Sequence, residues 1–181
     1  MPKIAIVTDS TCDMPSDLVK EKNITVVPLN VHFGEETFLD GIDLNSAEFF
    51  DKLSSSDIHP QTSQPSVGRF VETYKKLLKN HDAIISIHIS GKLSATYTSA
   101  IQAQKELDNK NIKVFDSMNG SLGLGSLVYK ISQMNQNGEK LENIISSIER
   151  DIPNTMFFGL VPTLEYPVGA FLNQLQTGNS P

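Results

Sequence analysis

The feature that most constrains the fold is the alternation of short, fully apolar strands with amphipathic helices. Residues 3–8 (KIAIVT) and 83–89 (AIISIHI) are rich in β-branched side chains and apolar on both faces, as strands buried in a parallel sheet are. Between them, the apolar residues of positions 65–79 recur at helical spacing. Strands that alternate with helices predict an α/β fold, a three-layer sandwich with a mainly parallel sheet covered on both faces.

Further elements complete this predicted alternation. We expect strands at 24–33, 112–115 and 155–161, a hairpin or wide loop at 34–41, and helices at 15–22, 45–54, 65–79, 94–108, 120–136 and 138–150. Pro28 marks an edge or a bend in its strand, and Pro65 fits the first position of its helix. The 181 residues suffice for one large α/β domain, or for one domain and part of another.

Composition and charge exclude several classes of function. The net charge of −6 argues against nucleic-acid binding, which usually requires a basic face. The single cysteine, Cys12, excludes an internal disulfide and a cysteine-based zinc site; it is either a packed apolar residue or a catalytic thiol. The four histidines lack metal-ligand spacing. The sequence has neither a long uncharged apolar run nor the start of a signal peptide, so we expect a cytoplasmic protein.

Polar segments that carry hydroxyl groups follow three of the predicted strands. These segments are Asp9-Ser10-Thr11, residues 90–94 (SGKLS) and Asp116-Ser117, and a fourth, residues 62–66 (TSQPS), leads into a helix. Ligands of such sheets bind outside the carboxyl ends of the strands, so the segments could share one pocket of O–H and N–H donors for a carboxylate or a phosphate. Serine, threonine and aspartate are also common helix caps and turn residues, which is the alternative interpretation.

Known catalytic motifs are missing. There is no G-x-S-x-G elbow, Gly91-Lys92 lacks the rest of a P-loop, and Gly123-x-Gly125 lacks the third glycine of a dinucleotide site. His88 lies inside a predicted buried strand, where it is either a hydrogen-bonded core residue or a catalytic one. The sequence therefore names no acid–base pair and no nucleophile–base pair.

Four segments of the chain form a specific combination in this order. They are IAIVTDSTCDMP at 4–15, TSQPS at 62–66, SGKLSATYTSA at 90–100 and VFDSMNGSLGLG at 114–125. Together they resemble the DegV family of bacterial fatty-acid-binding proteins, and the resemblance covers residues 3–166.

The resemblance implies that one long-chain fatty acid, such as palmitate, binds in a buried tunnel. Its carboxylate would lie at the hydroxyls of Thr62 and Ser94, the positions that match the family's two ligand motifs. The supporting candidates, all from the four segments, are Ser63, Ala95, Thr96, Ser10 and Ser117.

The resemblance also implies a carrier in lipid transport or fatty acid metabolism, not an enzyme, with no cofactor and no metal. Such a carrier presents the acid to a separate fatty acid kinase and contacts membranes only transiently. Two alternatives stay open. One is a hydrolase or transferase that uses the hydroxyl of Ser94 or Ser117 on acyl or phosphoryl groups; the other is a remnant that binds nothing.

The end of the chain departs from the family. VPTLEY at 161–166 matches it, and residues 167–181 do not. We therefore expect a DegV-like first domain at 1–166 and a non-matching tail at 167–181, with the family's second domain absent. A first domain alone would expose apolar surface, which favours self-association.

Overall fold

A parallel sheet of four strands forms the centre of the fold. The computed structural model describes residues 2–158. The strands of this sheet are β1 (Ile4–Asp9), β2 (Ile24–Val27), β6 (Ala83–His88) and β7 (Ile112–Asp116). They lie in the order β2-β1-β6-β7, and every neighbouring pair is parallel. All carboxyl ends therefore meet at one edge of the sheet.

Helices cover both faces of this sheet. They are α1 (Ser16–Glu21), α3 (Val67–Leu77), α4 (Thr96–Leu107), α5 (Ser121–Gln136) and α6 (Leu141–Asp151). A further helix, α2 (Ser46–Ser55), packs its Phe49 in a smaller, separate core with Val31 and Phe33. Along β1, Ile4 and Ile6 pack on one side with apolar residues of α5 and α6, whereas Ala5 and Val7 pack on the other with those of α3 and α4. Alternate strand residues point to opposite faces, so each strand contributes to two cores. The predicted α/β sandwich with a parallel sheet is confirmed.

A second, antiparallel sheet was not predicted. It consists of β3 (Asn30–Phe33), β4 (Glu36–Leu39) and β5 (Gln61–Ser63) in the order β4-β3-β5. The segment expected as one strand at 24–33 is divided at Pro28 between the two sheets, because proline has no N–H to donate to a strand ladder. The hairpin expected at 34–41 is formed by β3 and β4.

Two local predictions are wrong. Helix α3 begins at Val67, and Ser66 is its N-cap, whose side chain accepts a hydrogen bond from the amide of Arg69 at 3.2 Å. Pro65 therefore lies before the helix. Ser66 rather than Pro65 marks its start, because the Ser66 hydroxyl bonds a backbone amide that the first turn of a helix leaves without a partner. Residues 155–158 of the strand expected at 155–161 are not in a strand, and the rest of it lies outside the described residues.

The tail predicted at 167–181 also lies outside the described residues. Between residues 2 and 158, none of the helices has both the length and the apolar character that a membrane crossing requires.

Candidate functional site

A cavity of about 300 Å³ lies at the carboxyl end of the parallel sheet, beyond β1 and β6. Two of its lining residues are the predicted ligands Thr62 and Ser94, and the predicted supports Ser63 and Ala95 line it as well. The full lining is Thr11, Leu29, Thr62, Ser63, Gln64, Ile89, Leu93, Ser94 and Ala95. The structure therefore brings TSQPS and the segment before α4 to one place, and no side chain in this lining carries a formal charge.

The position of Thr62 follows from the second sheet. β5 pairs with β3, with Thr62 opposite Val31 and Ser63 opposite Asn30. This pairing holds β5, the strand that precedes α3, near the carboxyl end of the parallel sheet. The hydroxyl of Thr62 makes no hydrogen bond with the described residues, and its side chain is exposed. It is therefore free to donate to a ligand.

The position of Ser94 follows from the start of α4. Its hydroxyl accepts a hydrogen bond from the backbone amide of Thr96 at 3.2 Å and lies 2.9 Å from the hydroxyl of Thr96. This is the local side-chain to backbone bonding by which serine satisfies the amides at a helix start. Thr96 is fully buried and does not line the cavity. The Thr96 hydroxyl therefore contacts Ser94 from the buried side, away from the cavity.

Ser63 has partners that sequence analysis missed. Its Oγ lies 2.8 Å from Nε2 of His32 and accepts a hydrogen bond from Nδ2 of Asn30 at 3.1 Å. Nδ1 of His32 lies 2.9 Å from the hydroxyl of Thr37. These partners come from the antiparallel sheet, so no spacing in the sequence pointed to them. They place an imidazole next to the hydroxyl of a residue that lines the cavity.

Thr11 is a lining residue that was predicted only as part of a polar segment. Its amide donates to Oδ1 of Asp9 at 3.1 Å, and its hydroxyl donates to the same oxygen. Oδ2 of Asp9 accepts from the amide of Ile89 at 3.0 Å. Thr11 and Ile89 both line the cavity, so one buried carboxylate fixes the ends of β1 and β6 around it.

Asp9 is also the end of a buried hydrogen-bonded chain. Its Oδ2 lies 3.0 Å from Nδ1 of His88, Nε2 of His88 lies 2.7 Å from Oγ of Ser86, and Ser86 lies 2.8 Å from the hydroxyl of Tyr74. Asp9, Ser86, His88 and Tyr74 are each fully buried. Since none of these four residues lines the cavity, His88 has the arrangement of a hydrogen-bonded core histidine.

Burial and hydrogen bonds set the acidity of these groups. Burial alone would raise the pKa of Asp9, but His88, Thr11 and the amide of Ile89 together hold it below its ordinary value. Burial raises the pKa of the Tyr74 hydroxyl, and it raises the pKa of the Cys12 thiol to about 11. A thiol with this pKa is protonated near neutral pH, which favours the interpretation of Cys12 as a packed residue.

Ser10 and Ser117, which were predicted as supporting residues, do not line this cavity. The hydroxyl of Ser10 accepts a hydrogen bond from the amide of Leu29 at 3.1 Å and lines a different cavity of about 580 Å³. Ser117 is fully buried, and its hydroxyl donates to the carbonyl of Asn119 at 3.0 Å. The part of the chain that the structure describes contains no group of three or more histidine, cysteine or acidic side chains that could hold a metal ion.

Comparison with known proteins gives consistent matches. A family model described as "Uncharacterised protein, DegV family" matches residues 3–168. A curated relative, a DegV domain-containing protein of Clostridium perfringens, is 38% identical over 161 residues, which are 87% of this chain and 58% of the relative.

Solved structures match the fold as well. DegV of Bacillus subtilis, a fatty acid binding protein, is 35% identical with a TM-score of 0.78, and the match covers 84% of this chain and 55% of that one. A stearic acid-binding protein from Eubacterium ventriosum is 27% identical with a TM-score of 0.73, covering 82% of this chain and 52% of that one. The chain thus spans between half and two thirds of the length of these three proteins. Since the family model covers nearly all of the sequence, the chain belongs to the DegV family.

Proposed function

We propose that this chain binds a long-chain fatty acid, such as palmitate, and that its cavity takes the carboxylate. The observation that carries the proposal is that Thr62 and Ser94, from segments far apart in sequence, line one cavity. The fatty acid binding of the DegV protein of Bacillus subtilis and the stearic acid binding of the Eubacterium ventriosum protein support the class of ligand.

The cavity suits a carboxylate that is held by uncharged donors. The hydroxyl of Thr62 makes no hydrogen bond with the other described residues. Ser94 lies at the N-terminal end of α4, a helix of 12 residues, where the helix dipole favours negative charge. Leu29, Ile89 and Leu93 give the same cavity an apolar side. Each methylene buried there contributes about 0.8 kcal/mol, so the acyl chain supplies most of the affinity and the hydroxyls orient the carboxylate.

The role that follows is that of a cytoplasmic carrier, not of a catalyst. Uncharged donors leave the carboxylate reactive, because no strong ion pair must be broken before another protein can use it. A fatty acid kinase that phosphorylates the carboxylate is the partner that we propose. The chain would then require no cofactor of its own.

Substitution of the two hydroxyls tests the proposal. We expect Thr62→Val and Ser94→Ala each to weaken palmitate binding by about tenfold to a hundredfold, since a hydrogen bond to a charged group contributes about 1.5–3 kcal/mol. The matched controls are Thr98→Val and Ser146→Ala, which remove the same groups from exposed positions outside the cavity. Calorimetric titration measures the affinities. Unchanged affinity in both cavity variants contradicts the assignment.

One observation favours a second candidate, hydrolysis of an acyl ester. Ser63 lines the cavity, and its Oγ lies 2.8 Å from Nε2 of His32, which is the distance of a nucleophile and its base. Ser94 and Ser117, the serines that the sequence suggested, have no imidazole among their hydrogen-bond partners in residues 2–158. Turnover of a long-chain p-nitrophenyl ester that disappears in Ser63→Ala would establish this activity, and equal background rates for both proteins would exclude it.

A further inference from the structure

Packing alone does not fix the strand that carries Thr62. β5 consists of three polar residues, and none of them is buried. Alternate residues of a strand point to opposite faces, so the pairing with β3 places the side chain of Ser63 on the same face as Asn30 and that of Thr62 on the opposite face. Beyond its backbone pairing, β5 is therefore held through the face of Ser63, whereas Thr62 lines the cavity from the other face.

The side-chain amide of Asn30 joins the end of β5 to helix α3. Its Nδ2 donates a hydrogen bond to Oγ of Ser63 at 3.1 Å and to the carbonyl of Gln64 at 3.3 Å. Its Oδ1 accepts a hydrogen bond from Nη1 of Arg69 at 3.2 Å. A carbonyl can only accept and arginine can only donate, so the contacts at the two ends require the same orientation of the amide.

Arg69 is itself fixed at the start of α3. Its Nη1 also donates to the carbonyl of Pro28 at 3.1 Å, and its backbone amide donates to Oγ of Ser66, the cap of the helix, at 3.2 Å. The contacts form a closed loop. The chain leaves β5 at Ser63 and enters α3, and the guanidinium of Arg69 and the amide of Asn30 connect α3 back to the end of β5.

We propose that Asn30 is a positioning residue for the fatty acid: its amide, oriented by Arg69, holds the end of β5 and thereby keeps the hydroxyl of Thr62 where it binds the carboxylate. This inference rests on the proposed fatty acid binding. Asn30 does not line the cavity, so it acts through Thr62 and makes no contact with the ligand. Ser63, whose hydroxyl is bonded to Asn30, is the point at which the strand is held.

A double-mutant cycle between Asn30 and Thr62, measured by calorimetric titration with palmitate, tests this role. Asn30→Asp keeps the acceptor for Arg69, but it removes the N–H group and sets an oxygen against the carbonyl of Gln64. We expect it to weaken binding about tenfold in the parent chain. In a Thr62→Val background, where the hydroxyl is already gone, we expect a further loss of less than about twofold. Lower stability or added negative charge would weaken binding equally in both backgrounds, and that result overturns the role of Asn30.

Two further variants complete the test. The control, Gln61→Glu, adds the same charge at an exposed position on the Asn30 face of β5, and we expect it to change the affinity by less than about threefold. A loss as large as that of Asn30→Asp would overturn the inference. Arg69→Met removes the donor that orients the amide and adds no carboxylate, so it gives the same cycle even if Asn30→Asp does not fold. Equal losses with and without the Thr62 hydroxyl overturn the inference and leave fatty acid binding intact. A parent chain that does not bind palmitate overturns the proposed function and this inference together.

Discussion

Asp9 is the residue whose replacement tests the structure of the site most sharply. Each of its carboxylate oxygens accepts a hydrogen bond from a backbone amide: Oδ1 from Thr11 and Oδ2 from Ile89. Asparagine has the same shape, but it presents an NH₂ group in place of one oxygen. In either orientation that NH₂ group faces a backbone N–H. The variant Asp9→Asn therefore leaves one partly buried backbone amide without its partner, whichever way the side chain turns.

The cost follows from this count. An unsatisfied buried amide costs about 1–3 kcal/mol, and the remaining bonds lose the strength that a charged acceptor gives. We expect Asp9→Asn to lower the free energy of unfolding by about 2–4 kcal/mol at neutral pH. A domain has only about 5–15 kcal/mol in total, so the variant remains folded but is clearly weakened.

The effect should depend on pH. The pKa of Asp9 is lowered from 3.8 on folding, so its stabilisation is fully present above that value and is lost as the pH falls through the folded-state pKa. The difference between Asp9→Asn and the parent should therefore shrink in acid below about pH 4.

Urea denaturation followed by circular dichroism measures both quantities. Asp13→Asn is the control, since Asp13 is an exposed carboxylate in the next turn and its φ of 50° is a conformation that asparagine tolerates. A loss below about 0.5 kcal/mol in Asp9→Asn, within the usual range of surface substitutions, would refute the reasoning.

Three further substitutions have expected results that the same denaturation experiment can check. Gly125→Ala should destabilise the chain, because its Cβ would collide with the backbone carbonyl oxygen of Cys12; a neutral result would show that α5 does not approach so closely. Ser66→Ala should cost about 1 kcal/mol through loss of the α3 cap, and no change would contradict that cap. Tyr74→Phe should cost about 1 kcal/mol by removing the hydroxyl bonded to Ser86, and a gain in stability would contradict it.

The sequence predicted the elements that hydrophobic periodicity controls. The strands that became β1 and β6 are buried on both faces, as expected for strands of a parallel sheet with a core on each side. Asn45 was expected to begin a helix at 45–54, and it forms a capping box with Glu48 at the start of α2. Such local signals need no knowledge of distant residues.

Long-range pairing was not predictable in the same way. β5 is a strand of three residues whose sequence, Gln61–Ser63, is polar, and it is a strand only because β3 lies next to it. The contact between Ser63 and His32 depends on this pairing. For the same reason the buried link between Asp9 and His88 was missed: it joins the ends of two strands that are neighbours in the sheet and far apart in the chain.

The gathering of Thr62 and Ser94 was predictable for two reasons. Ligands of parallel sheets bind at the carboxyl ends of strands, and the resemblance to the DegV family indicated which hydroxyls to choose. Neither reason distinguished Thr11, which lines the cavity, from Ser10, which lines a different one. Adjacent residues at the end of a strand diverge, and the sequence does not show which of them turns towards the cavity.

Native mass spectrometry tests the central claim most directly. The 181-residue chain and its Thr62→Val, Ser94→Ala double variant differ in mass, so both can compete for a limiting amount of palmitate in one solution. We predict that the parent chain carries one palmitate and that the variant stays largely unliganded. Equal occupancy of the two proteins, or a parent chain that remains empty in excess palmitate, would contradict the account.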